Sequence, residues 1–178
     1  MRQRFATLLC IFLFTGSSLL FLPAAALSSP SAWASTQTAA CEDFVEVQLE
    51  SLDQLVAENN YERALRVANV TVQRCRVPRS EEALLRVYRS WFQYARNSSP
   101  SQLAGALSSV ISNENVTASN RNALRSSITA GLERWVGRLS DQGSFSRAHR
   151  YCEQYRQHSS QTFRLSYLCG SVAYQTEN

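Results

Sequence analysis

The cysteines are the residues with the clearest chemistry in this sequence, because two thiols join covalently when a chain folds in an oxidising compartment. Cys10 lies in an apolar N-terminal stretch, and four more follow it at Cys41, Cys75, Cys152 and Cys169. An even number of cysteines in an exported chain indicates disulfide bonds. Four cysteines allow three pairings, and their number alone does not choose among them.

Two other uses of these thiols compete with disulfides. His149 and His158 lie close in sequence to Cys152 and Cys169 and offer the ligand types of a zinc site, without the spacing of a zinc finger. Residues 38–41, Thr-Ala-Ala-Cys, are similar to a lipoprotein attachment site, but position 38 is not Leu and lipidation would leave an odd thiol. The sequence therefore predicts two disulfides and no bound metal.

Catalytic signatures are absent from the sequence. It contains no Gly-x-Ser-x-Gly elbow, phosphate loop, dinucleotide fingerprint or His-Glu-x-x-His helix. Glu50-Ser51 is similar to the Glu-Ser pair of lytic transglycosylases, in which a buried Glu acts as general acid on a glycan. That resemblance implies a glycan-acting enzyme of the cell envelope as an alternative. The primary prediction is a protein with no catalytic residues and no cofactor.

All 18 basic residues are Arg, and charge is distributed unevenly. Residues 41–62 contain seven acidic residues and no basic one, whereas residues 63–178 contain 16 Arg and seven acidic residues. Arginines of the second helix are expected either to pair with the acidic first helix or to meet an external protein or anionic macromolecule. No motif indicates a nucleic-acid partner. The candidate partner-binding residues are Arg63, Arg66, Arg147, Arg150 and Arg156.

Residues 1–34 have the pattern of a cleaved signal peptide. Arg2 and Arg4 provide a basic start, an uncharged run extends from Phe5 to Leu22, and residues 32–34, Ala-Trp-Ala, form a small-x-small cleavage site. An uncleaved anchor is the alternative, because 18 residues nearly cross a bilayer. We expect export to a bacterial periplasm or envelope, or secretion, with membrane contact only through this transient segment.

Residues 35–178 are expected to form a single all-α domain of about seven helices. Apolar residues recur every three or four positions, and no stretch alternates with the period of a strand. Apolar stripes are expected at Tyr61, Ala64, Leu65, Ala68, Val72 and Cys75, and at Leu84, Tyr88, Trp91 and Ala95. The longest helix is expected to carry Leu124, Ile128, Leu132, Trp135 and Leu139.

Capping residues predict where the helices begin and end. Asn59-Asn60 and Gly143 favour bends between helices, and residues 113–117 form a polar linker. Pro100, after a Ser99 cap, opens a short helix that ends at Ile111. The remaining predicted helices run from a Ser80 cap to about Ala95, from Phe145 to about Gln157, and onward from Ser159 or Ser160.

Antiparallel packing of consecutive helices selects one cysteine pairing. Cys41 opens the first helix and Cys75 ends the second, so the two meet in a hairpin. Cys152 and Cys169 lie on either side of the bend near Ser159 and meet in the same way. We therefore predict the disulfides Cys41–Cys75 and Cys152–Cys169, each joining the helices of one terminal hairpin.

A short pattern recurs every 42 residues: an aromatic residue or Leu, then Ala three positions later, at Tyr61 and Ala64, Leu103 and Ala106, and Phe145 and Ala148. These hairpins resemble tetratricopeptide-type repeats, in which such a pair opens the second helix. The first helices lack that family's Trp-Leu-Gly-Tyr series, and the period exceeds its roughly 34 residues. The resemblance implies an α-solenoid or right-handed array of antiparallel hairpins.

The sequence as a whole predicts an exported, non-enzymatic helical-repeat protein that mediates protein–protein or other macromolecular interaction. Stacked hairpins expose extended surfaces suited to this function. Two alternatives remain: the glycan-acting enzyme that would use Glu50, and a small structural or inhibitory bundle stapled by disulfides.

Overall fold

A computed structural model describes residues 30–177, which form seven α-helices and one 3-10 turn and contain no strand. The all-α prediction is confirmed. Residues 1–29 of the predicted signal peptide lie outside the described residues, and the backbone of residues 30–34 belongs to α1. The helices are α1 (Pro30–Ala57), α2 (Tyr61–Arg74), α3 (Pro78–Asn97), α4 (Pro100–Ser112), α5 (Ala118–Asp141), α6 (Phe145–Tyr155) and α7 (Phe163–Glu177).

The helices pack in two rows. The odd-numbered helices form one row, in which α1 contacts α3, α3 contacts α5 and α5 contacts α7. The even-numbered helices pack against them as the second members of the hairpins α1–α2, α3–α4 and α5–α6, and α7 closes against α6. This packing is that of an α-helical array.

The predicted apolar stripes form one continuous core. Every residue of the α2 stripe from Tyr61 to Val72, of the α3 stripe and of the α5 stripe is buried. The three alanines of the recurring pattern, Ala64, Ala106 and Ala148, are all 0% exposed, so a larger side chain at any of them would collide with a neighbouring helix. The core extends from Leu52 in α1 to Val172 in α7.

The bends follow the predicted capping chemistry at most positions. Asn59 has a φ of 56° and Gly143 a φ of 69°, the left-handed backbone that lets a helix end abruptly. The side chain of Asn60 accepts a hydrogen bond from the backbone N–H of Arg63. Ser99 caps α4 by accepting from the N–H of Gln102, with Pro100 in the first helical position.

Several predicted boundaries are wrong. Ser80 is not the cap of α3 but its third residue, because Pro78 already fits the first turn and the Ser80 hydroxyl bonds back to the Cys75 carbonyl. The last helix begins at Phe163 rather than near Ser159, and Thr162 accepts the N–H of Leu165. The first helix begins at Pro30, before Cys41, and with 28 residues it exceeds α5, which has 24.

The two predicted disulfides are present. Cys41 pairs with Cys75 at a Cα–Cα distance of 5.4 Å, and Cys152 pairs with Cys169 at 5.7 Å. The first joins α1 to the end of α2, and the second joins α6 to α7. The terminal hairpins of the array are therefore covalently closed.

Candidate anion-binding pocket

The arginines singled out by sequence do not converge on one site. Arg63 and Arg66 lie exposed on α2, whereas Arg147 and Arg150 lie exposed on α6, in a different hairpin. Arg156 lies in the 3-10 turn after α6. Among the described residues none of these five forms an ion pair.

Four other arginines converge between α3, α5 and α7. Arg96 from the end of α3, Arg134 and Arg138 from α5, and Arg164 from the start of α7 line a pocket of about 280 Å³. We call this set the arginine pocket. Glu133 and Asp141 also line it, so its side chains carry a formal charge of +2.

The arginine pocket differs from the other basic surface of α3 because, within the described residues, none of its arginines forms an ion pair. Arg79 pairs with Glu46, Arg86 with Asp53 at 2.7 Å, and Arg89 with Glu82. By contrast, no carboxylate of the described residues lies within ion-pairing distance of the four pocket arginines. Two acidic residues of α1, Glu46 and Asp53, thus pair with arginines of α3 and not with those of α2 as the sequence suggested.

Two of the pocket side chains, Arg138 and Glu133, have defined contacts with neighbouring residues. The Arg138 guanidinium lies 4.9 Å from the centre of the Trp135 ring, and the Trp135 indole N–H donates to the Ala95 carbonyl. The Glu133 carboxylate accepts a hydrogen bond from the Thr162 hydroxyl at 2.5 Å. One oxygen of this carboxylate is therefore bonded to the residue that precedes α7.

Helix dipoles stabilise the positive charge of two of the four pocket arginines. Arg96 and Arg138 lie in the last turns of α3 and α5, where a cation is stabilised by the helix dipole. Arg134 lies a full turn earlier, and its buried Nε atom has no hydrogen-bond partner in the described protein. Arg164 lies in the first turn of α7, where a positive charge is unfavourable. Arg134 and Arg164 therefore have no structural compensation.

Small residues keep the pocket open. Ala130 and Gly137 lie on the same side of α5 as Arg134, and a Cβ atom added to Gly137 would meet no other atom within 4 Å. Glycine in a helix interior costs about 0.5–1 kcal/mol relative to alanine, so Gly137 lowers helix stability at a position where the surroundings have room for a side chain.

The pocket continues as a groove along the seam between α3 and α5. A second cavity of about 290 Å³ shares Arg96 and Ala130 with the arginine pocket. It extends toward the start of α5, where it is lined by Phe92, Gln93, Ser126 and Ser127. From Ser126 to Asp141 the groove follows α5 for roughly 22 Å at 1.5 Å per residue. We call the two cavities together the α3–α5 groove.

The cavity between α6 and α7 is larger, about 510 Å³, and is lined by three of the four residues of the zinc alternative, whereas His158 lines a different cavity. Cys152 and Cys169 line it but are joined in a disulfide, so neither offers a thiolate. The Nε2 atom of His149 lies 3.3 Å from Glu153. No group of three or more potential metal ligands occurs in residues 30–177.

The residue of the glycan-acting alternative lies on the surface. Glu50 is exposed on α1, in the acidic surface that faces solvent. A general acid for glycan cleavage requires a carboxyl group buried in a cleft, because burial is what keeps it protonated near neutral pH. The setting of Glu50 does not meet that requirement.

Comparison with known proteins adds no family to this description. No protein-family model, curated protein or solved structure matches the chain. The likeness to tetratricopeptide-type repeats therefore stays a prediction. Within residues 30–177 no helix is long and apolar enough to cross a membrane.

Sequence inspection missed the arginine pocket because its members come from three helices. Only Arg134 and Arg138, one helical turn apart on α5, form a local pattern. Like charges at this spacing cost a few tenths of a kcal/mol. The same spacing recurs elsewhere, for example at Arg121 and Arg125, so this pair did not single out the pocket.

Proposed function

We propose that this chain is an exported, non-enzymatic helical-array protein that binds a partner protein by holding an acidic segment of it in the α3–α5 groove. The observation that carries the proposal is the arginine pocket, which four arginines line and in which none of them forms an ion pair within the described residues. Such groups form paired, charge-assisted hydrogen bonds with carboxylates.

The chemistry of the pocket supports binding rather than catalysis. Guanidinium groups remain protonated at all physiological pH values, so they donate hydrogen bonds and do not exchange protons with a substrate. Of the two carboxylates that line the pocket, Glu133 is bonded to Thr162. The arrangement provides fixed positive charge for an anionic group.

The dimensions of the groove favour a polypeptide over a small ligand. The arginine pocket alone is slightly smaller than the roughly 300–1,000 Å³ of typical small-molecule sites. Its extension along α5 provides room for several residues of an extended chain, at about 3.3 Å per residue. Arginine is also enriched in protein–protein interfaces, whereas Lys is depleted there.

Export is supported by the basic and apolar N-terminal segment and by the two disulfides. Disulfides persist in secreted proteins and in the bacterial periplasm, where the environment is oxidising. We place the protein in such a compartment, with its acidic partner.

Binding of poly-L-glutamate tests the proposed function. Fluorescence anisotropy of the labelled polymer should show binding at low salt that weakens at high salt, because the contact is electrostatic. The double variant Arg134→Gln/Arg164→Gln should weaken binding at least tenfold. The matched control Arg63→Gln/Arg66→Gln removes the same charge from α2 and should retain most of the affinity.

A stability measurement separates a binding role from a structural one. Since Arg134 and Arg164 lack compensating contacts, Arg134→Gln/Arg164→Gln should leave the urea-unfolding free energy of the free protein unchanged or slightly higher. Wild-type protein that fails to bind poly-L-glutamate would refute the proposal, as would equal loss of binding in both double variants.

A further inference from the structure

The outer side of α7 carries an exposed aromatic stripe. Phe163, Tyr167 and Tyr174 are 88%, 66% and 67% exposed. Their spacing of four and seven residues places them on one side of the helix, and Gly170 lies between the two tyrosines on that side. We call these three aromatic residues the aromatic stripe.

The aromatic stripe has the size of the largest apolar patch on a typical monomer. At about 150–250 Å² per aromatic side chain and these exposed fractions, it presents on the order of 400 Å² of largely apolar surface. Patches of this size on a monomer are often functional. The other large exposed apolar residues, Val47, Val70 and Tyr94, lie on three different helices.

The aromatic stripe adjoins the arginine pocket. Arg164 directly follows Phe163 and lines the pocket, and Tyr167 lies one helical turn beyond Arg164 on the same side of α7. A partner segment that places a carboxylate at Arg164 therefore brings its neighbouring residues to Tyr167. Aromatic and Arg side chains together are the typical composition of the energetic centre of a protein interface.

Resting on the proposed function, we infer that the aromatic stripe is the apolar half of the same binding surface. The partner segment then carries aromatic or aliphatic side chains beside its carboxylates, an acidic and aromatic peptide rather than a purely acidic one. The stripe alone covers about half of the roughly 800 Å² per partner of a standard interface, and the pocket and groove supply the remainder.

A second copy of this chain fits the surface less well. A two-fold interface through α7 would place the same surface against itself, so that the arginine pockets of both copies, each with a formal charge of +2, would border one interface. Since the pocket arginines form no ion pair within the described residues, that arrangement adds positive charge to positive charge. An acidic partner neutralises them instead.

An anionic membrane also fits less well. The arginines line a concave pocket between three helices, and a flat bilayer surface does not reach all of them. Glu133 and Asp141 lie in the same pocket and would repel an extended anionic surface. A flexible peptide can place individual carboxylates so that it avoids both.

Two polymers separate this inference from the proposed function. Poly-L-glutamate reports on the arginine pocket alone, and a random copolymer of Glu and Tyr reports on the pocket and the stripe together. The copolymer should bind about tenfold more tightly than poly-L-glutamate. Phe163→Ser/Tyr167→Ser should abolish this difference without altering the affinity for poly-L-glutamate.

The control Val47→Ser/Val70→Ser removes exposed apolar side chains from α1 and α2 and should retain the difference. Because all four side chains are exposed, circular dichroism melts of both variants should match wild type. If poly-L-glutamate binds and the copolymer binds no better, the inference fails while the proposed function stands. If poly-L-glutamate fails to bind, the proposed function fails, and so does the single surface inferred here.

Two further outcomes would overturn the inference in favour of another occupant. Sedimentation equilibrium showing a dimer that Phe163→Ser/Tyr167→Ser dissociates would assign the stripe to a second copy. Binding to phosphatidylglycerol vesicles that the same variant abolishes, without any preference for the copolymer, would assign it to a lipid surface.

Discussion

At the residue scale, side-chain amides and hydroxyls connect helices that apolar packing alone would leave free to slide. The Asn113 side-chain NH₂ group donates to the Tyr88 hydroxyl and to the side-chain amide oxygen of Asn69, each at 2.9 Å. Asn115 donates to the same Asn69 oxygen at 3.0 Å. This network joins α2, α3 and the linker after α4, so it sets the position of the second hairpin relative to the first.

Tyr88 is the buried centre of this network, and its ionisation lowers the stability of the fold at alkaline pH. Its side chain is 0% exposed. Burial raises the pKa of the Tyr88 phenol above its usual value of 10.0, and hydrogen bonds to Ser109 and Asn113 offset only part of that effect. The folded state thus holds the proton more tightly than the unfolded chain, and stability is lost as pH rises beyond 10.

Tyr88→Phe should lower the free energy of unfolding at pH 7 by about 1–2 kcal/mol, because the hydroxyl joins Ser109 and Asn113. It should also reduce the decline in stability between pH 9 and pH 11, since one group with a raised pKa is gone. Urea titrations at several pH values measure both effects. An undiminished alkaline decline in the variant would show that Tyr61 and Tyr151, whose pKa values burial also raises, dominate it.

At the element scale, two glycines of α5 have opposite surroundings. A Cβ atom on Gly131 would lie 2.8 Å from the Leu103 side chain, which is 0% exposed in α4. Gly137, less than two turns further along, faces the open arginine pocket. The first glycine permits close approach of two helices, and the second maintains a cavity.

The two substitutions to alanine should therefore change stability in opposite directions. Gly137→Ala should raise the free energy of unfolding by about 0.5–1 kcal/mol through helix propensity alone. Gly131→Ala gains the same propensity but must displace the packed Leu103 side chain, which costs about 1–3 kcal/mol, so a net loss of about 1 kcal/mol is expected. Urea denaturation measures both, and a stabilised Gly131→Ala would contradict the close packing of α4 on α5.

At the scale of the whole molecule, the array is held at its two ends by disulfides and between them by the core. The Cys41–Cys75 bond spans 34 residues and the Cys152–Cys169 bond spans 17. Between these hairpins, α3 and α5 pack against each other and carry the largest buried side chains, including Tyr88 and Phe92. The ends therefore depend on covalent closure more than the centre does.

Loop-closure entropy predicts different costs for the two bonds. Cys41→Ala/Cys75→Ala should lower the free energy of unfolding by about 3.8 kcal/mol, and Cys152→Ala/Cys169→Ala by about 3.1 kcal/mol, because the longer loop gains more freedom when unfolded. Urea denaturation of the two double variants tests the order. A larger loss for the second pair would show that packing around its buried sulfurs outweighs chain entropy.

The sequence by itself determined the fold class, the bends at Asn59 and Gly143, and the cysteine pairing. These properties depend on spacings within single helices and on hairpins between consecutive ones, and such information is local in the chain. The first residues of α3 and α7 could not be predicted from the sequence, because more than one possible capping residue lies near the start of each helix. The structure decided between them through contacts such as that of Ser80 with the Cys75 carbonyl.

Only the tertiary structure decided where the charges meet. The sequence favoured Arg63 and Arg147 as partner-binding residues because each has other arginines close by in the chain. The pocket instead contains Arg96, Arg134 and Arg164, which are separated by 38 and 30 residues. Likewise, Glu46 and Asp53 of α1 form their ion pairs with arginines of α3 instead of α2. The distance between two charges on different helices depends on how those helices pack, and helix periodicity carries no information about it.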